Sequence, residues 1–128
     1  MDGLPDETRL RAGVTKGEIY INMLTEGRVS DAVLQQHENN LDVLRRDYPN
    51  KQELISTYEE RLGNVRNLLN SILGSIDKLK KDLKNLERLS GEQRNKPLKE
   101  IFNFYNVVHG RVRNLEVAMR ELETQNLD

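Results

Sequence analysis

Two histidines, a few neighbouring carboxylates and one run of basic side chains are the residues here whose types could carry chemistry. A zinc site on a helix takes His or acidic ligands at i and i+4 on one face. His37 is followed at that spacing by Leu41, and His109 by Arg113, so neither opens such a site and no metal is expected. His37 does fall in an apolar stripe. Burial there would disfavour the imidazolium, and a fold that loosens in mild acid is one expectation. Glu59 with Glu60, and Glu121 with Glu123, are close in sequence but leave a helix in different directions. They also lack the apolar pocket that raises a carboxyl pKa for acid–base work. No Gly-x-Ser-x-Gly elbow and no glycine-rich phosphate loop occurs. No catalytic residue, no cofactor and no enzyme activity are expected.

The basic run Lys78, Lys80, Lys81, Lys84 and Arg88 is the candidate stripe for phosphates or an acidic partner. Asp77, Asp82 and Glu87 interleave it, and no aromatic side chain supplies the stacking platform used by single-strand binders. A solvated helix face is the plainer reading, and nucleic acid is a disfavoured partner. Charge is unevenly placed: residues 1–50 carry 6 basic and 9 acidic groups, residues 51–96 carry 10 and 7, and residues 97–128 carry 4 and 5.

The elements that must position these groups are helices. Ile55, Tyr58, Leu62, Val65, Leu69, Ile72, Ile76, Leu79, Leu83 and Leu86 form one uninterrupted a/d heptad seam. Leu98, Ile101, Tyr105, Val108, Val112, Leu115, Met119 and Leu122 form a second. A 3.5-residue apolar period keeps one stripe of a helix against another. With 36% apolar and 32% charged residues, no Trp and no Cys, the chain buries narrow stripes and forms neither a disulfide nor a cysteine-based zinc finger.

Helices are predicted over about residues 15–26, 31–47, 51–89 and 97–124, behind a flexible arm spanning 1–13 that contains Gly3, Pro5 and Gly13. Thr15 with Glu18 reads as a capping box and Gly27 as a stop, although Ile19, Tyr20 and Ile21 also alternate like a strand. Ser30 and Asn50 are candidate N-caps, Glu53 completes a second capping box, and Pro49 ends the helix before it. Gly91, Asn95 and Pro97 mark the turn between the two long helices.

So short a connection folds the two helices back on each other. Leu54, Leu68 and Leu73 broaden the first seam, which calls for a further helix in the groove. The expected fold is an all-α, elongated antiparallel bundle of three to four helices, residues 14–128 forming one domain dominated by a coiled-coil-like hairpin.

Phe102, Phe104 and Val107 widen the apolar arc of the last helix and Val117 points outward, making these four the candidate surface for a partner or a second copy. The function expected is structural: a non-enzymatic assembly protein working through helix–helix contacts, as a homo-oligomer or a subunit of a larger complex. The alternatives are a monomeric chaperone or adaptor that accepts a partner helix and, less favoured, a nucleic-acid accessory protein. No apolar run approaches the roughly 20 residues needed to cross a bilayer. The acidic start lacks the marks of a signal peptide, so an intracellular, cytoplasmic setting without membrane insertion is the expectation.

Overall fold

The computed structural model describes residues 4–125 and is an all-α bundle: α1 (Glu7–Glu26), α2 (Asp31–Asp47), α3 (Gln52–Leu86) and α4 (Asn95–Glu123), with one 3₁₀ turn (Gly91–Arg94) before α4. All ten residues of the first seam are buried along α3. On α4 the second seam is buried apart from Tyr105 and Val112, which are half-buried. The two helices form an antiparallel hairpin of roughly 50 Å, from a rise of about 1.5 Å per residue.

Polar contacts fix the hairpin's register. Arg111 donates to the Ser75 hydroxyl at 2.9 Å, and Arg61 donates to the Glu121 carbonyl at 3.4 Å. Ser75, the buried polar residue of the core, spends its own proton on the Ser71 carbonyl at 2.7 Å.

α1 and α2 lie one after the other along α3, both antiparallel to it. Lys80 of α3 meets Glu18 of α1 at 2.7 Å, and Arg11 reaches the Leu83 carbonyl at 3.1 Å. Further along, Arg45 of α2 meets Glu59 at 3.0 Å, and Glu38 meets Arg66 at 3.7 Å. The bundle therefore has three rods, one of them broken at Gly27–Ser30, where the Val29 amide closes on the Leu24 carbonyl at 2.8 Å and the Val29 side chain is buried. Ser30 caps α2 by accepting from the Val33 amide at 3.3 Å, as its position predicts.

Several element ends differ from expectation. The supposed arm is helical from Glu7 onward, because Asp6 caps α1 by accepting from the Arg9 amide at 3.2 Å and because Leu10 and Val14 are buried. Met1–Gly3 lie outside the described residues. Thr15 caps nothing; its hydroxyl donates back to the Arg11 carbonyl. Ile19–Ile21 are helical, since Ile21 continues the buried stripe while Ile19 faces outward.

The expected Asn50 and Glu53 capping box is also absent. Lys51 takes the N-cap place of α3, with Gln52 folded back onto the Pro49 carbonyl at 2.6 Å. α3 stops at Leu86, short of Leu89, and α4 starts at Asn95. Gly91, at φ +60, supplies the left-handed step of the turn. Arg94 clamps that turn by donating to the Leu86 carbonyl and to Glu7 at the start of α1.

The core falls into two clusters. One, toward the α2–α3 turn, gathers Ile21, Leu41, Tyr58, Val65, Ile72, Leu115 and Met119 among others; the other, toward the α3–α4 turn, gathers Leu10, Val14, Leu79, Leu86, Leu98, Ile101 and Val108.

Candidate functional site

The sequence candidates are dispersed along the bundle. His37 lies half-buried on α2 with Nδ1 2.6 Å from the hydroxyl of the buried Tyr58, and the Asn40 amide donates to the same oxygen at 3.3 Å. An amide donating to the phenol oxygen leaves the phenol proton for Nδ1, which assigns a neutral imidazole with its hydrogen on Nε2. The rings meet edge to face, centroids 5.7 Å apart. Burial holds the His37 pKa below its ordinary value, against a weaker pull upward from Glu123. Besides Tyr58 and Asn40, the charged groups around this trio are Glu38 on α2 and Glu123 on α4, and Glu123 is itself held low, chiefly by the hydrogen bond from Arg28.

The sign of the pH effect follows. The unfolded chain takes up a proton near 6.5 more readily than the fold does. Stability from His37 is therefore complete above that value and is lost as pH falls below it toward the depressed folded pKa. Between about pH 7.5 and 5.5 the melting temperature of the wild type should fall further than that of His37→Gln, which keeps an acceptor for the phenol. Equal shifts in the two proteins, read by circular dichroism, would show that His37 does not contribute.

His109 is exposed beside the Tyr105 ring on another part of the bundle, and among the described residues no three His, Cys, Asp or Glu side chains converge to hold a metal. Glu59 is committed to Arg45, and Glu123 to Arg28 at 2.9 Å. Ser75 and Lys78 have the spacing of a Ser-x-x-Lys nucleophile pair. The Ser75 hydroxyl is occupied by Ser71 and Arg111, however, and Lys78 binds Asp82 at 2.6 Å, so the pair is not assembled.

The basic stripe divides. Lys78, besides its bond to Asp82, stands 5.2 Å over the Phe104 ring, and Lys80 ties α3 to α1 through Glu18. Lys81, Lys84 and Arg88 are exposed and form no ion pair among the described residues. The four apolar candidates on α4 divide as well. Phe104 is half-buried, packed on the cluster at the α3–α4 turn with Arg111 on its ring, whereas Phe102, Val107 and Val117 are exposed. Phe102 borders a shallow depression with Leu4 and Pro5, apart from the line formed by Val107, Gly110, Asn114 and Val117 at three- and four-residue steps.

No protein-family model, curated protein or solved structure matches this chain.

One feature missed in the sequence reading is a cleft of about 310 Å³ between α1, α3 and α4. Val14, Ile76, Leu79, Val108 and Val112 line its apolar part, and Lys16, Tyr20, Tyr105, His109 and Glu116 supply polar groups. The cleft exists because Gly13 and Gly17, one turn apart on α1, project no side chain toward α4. A Cβ on Gly13 would lie 2.9 Å from Cζ of Tyr105 and closer still to its hydroxyl, while one on Gly17 would meet nothing within 4 Å. Tyr20 and Glu116 both line the cleft, and the Tyr20 pKa is raised first by burial and then by that carboxylate. The sequence signal was the seam Leu10, Val14, Gly17, Ile21 and Leu24, whose spacing treats Gly17 as a missing apolar side chain. Among the described residues no helix is long and apolar enough to cross a membrane.

Proposed function

We propose that this chain is a non-enzymatic assembly protein that works through helix–helix contacts, by self-association or as a subunit of a larger complex. The observation that carries the reading is the outer line of α4. The two seams are consumed inside the bundle, yet Val107 (51% exposed) and Val117 (49%) remain in helical register on the outside with Gly110 between them. Exposed apolar side chains in register suit a second helix better than they suit water. The cysteine-free composition is compatible with an intracellular setting, which stays part of the proposal.

Analytical ultracentrifugation tests it: the wild type should sediment above the 14.9 kDa of one chain. A species that stays monomeric up to about 0.5 mM, at the weak end of transient interfaces, contradicts self-assembly.

A second reading is favoured by the cleft, which lies within the volume range of small-molecule and side-chain pockets: a monomeric adaptor that takes an apolar side chain from a partner helix between α1 and α4. In that case an apolar fluorophore such as anilinonaphthalene sulfonate should bind the wild type, and Gly17→Leu, which fills the open space, should exclude it. Nucleic-acid binding has less support, since two of the five cations of the stripe are engaged within the bundle.

A further inference from the structure

We propose that the outer face of α3 is the contact between two copies of this chain, packed antiparallel about a two-fold axis that crosses the helix between Asn70 and Ser71. The proposal rests on the assembly reading above and names the partner and the surface.

The residues at every seventh position along that face are Glu53, Glu60, Asn67, Gly74, Lys81 and Arg88, and all six are exposed. Glu53 stands in the first turn of α3 and Arg88 in the turn just past its end. The line therefore begins with two acids, passes through a short neutral stretch and ends with two bases. An antiparallel copy carries Glu53 onto Arg88, Glu60 onto Lys81 and Asn67 onto Gly74, giving four ion pairs per dimer. A parallel copy would set acid against acid and base against base, so charge selects the antiparallel, isologous arrangement, which closes at two chains. The flanking lines agree. On one side Lys84 and Asp77 come opposite Ser56 and Gly63, and on the other Asn85 and Lys78 come opposite Thr57 and Asn64, so no like charges meet.

Two further observations support the line as an interface. Glu53, Glu60, Lys81 and Arg88 form no ion pair among the described residues, and neither do Lys84 and Asp77 on the flanking line, whereas Lys78, Lys80 and Glu59 are paired within the chain. Acids early and bases late also suit a helix's own dipole, but that effect fades within the first and last turns and does not reach Glu60 or Lys81. Lastly, Gly63 and Gly74 have nothing within 4 Å of where a Cβ would stand, so the face offers bare backbone on which a second helix can lie close. The contact is polar, hence weak and sensitive to salt.

The test uses two exposed double variants of the full chain. E53K/E60K makes the line wholly basic, and K81E/R88E makes it wholly acidic. Sedimentation equilibrium at low salt is expected to show a wild-type dimer, weakening of at least about tenfold in each variant alone, and recovery of a dimer in their equimolar mixture. Circular dichroism confirms that both variants fold. Association of either variant equal to wild type, or a mixture that fails to associate, overturns the proposal. If the wild type associates indifferently to these changes but becomes monomeric on Val107→Lys with Val117→Lys, the assembly reading stands and this interface is wrong. If the wild type is monomeric throughout at low salt, the α3 interface and self-assembly fall together.

Discussion

Leu115→Asp is expected to abolish the cooperative unfolding transition. Leu115 is completely buried in the C-terminal half of α4, in the same core cluster as Ile72 and Met119. The nearest cation on the same face of the helix, Arg111 one turn back, is already engaged with the Ser75 hydroxyl at 2.9 Å. An unpaired charge there either stays ionised at a cost of many kcal/mol or takes up a proton at a cost of several. Total stabilities of roughly 5–15 kcal/mol leave little margin for either. Val117→Asp, two residues along the same helix and half exposed, is the control, and it should change stability by no more than about 0.5 kcal/mol. Thermal melts followed at 222 nm compare the two; a normal melt for Leu115→Asp would mean that the seam is not the core.

The second large effect runs the other way. Gly63, Gly74 and Gly110 lie inside α3 and α4, and a Cβ at any of them would meet nothing within 4 Å. Each glycine costs its helix up to about 1 kcal/mol relative to alanine, so the triple alanine variant should gain roughly 2–3 kcal/mol. That corresponds to a rise of several degrees in melting temperature for a chain of this size. The same substitution at Gly13 should reverse the sign, because the new methyl must displace the Tyr105 ring. A triple variant that melts no higher than wild type would show that these positions already make contacts that depend on the missing side chain. Gains at Gly63 and Gly74 accompanied by weaker self-association would fit a face kept bare for a second helix.

The regular seams were legible because their signal is redundant: ten positions on α3 and eight on α4 repeat one period, so no single residue decides the assignment. α1 was half missed because its stripe is short and passes through Gly17. Gly13 read as a breaker, although in the folded chain it is the residue that leaves room for Tyr105. Capping at Asn50 failed where a local rule met a competing local contact, the bond from Gln52 to the Pro49 carbonyl.

The candidate surfaces were legible as lists of residues but not as groups. Phe104 and Val107 are three apart, yet one is packed into the bundle and the other faces out. Lys80 and Lys81 are neighbours, yet Lys80 pairs with a residue 62 positions away.

The amino-acid order alone determined that the chain is helical, where the two long rods run and which stripe each buries, since the 3.5-residue period and the turn residues act within one or two turns of chain. Tertiary structure alone decided which surface charges are spent inside the bundle, that α1 and α2 share one groove, and that a cleft opens beside Gly17. Those outcomes depend on which side chains from distant segments meet, and partners far apart in the chain leave no periodic trace in it.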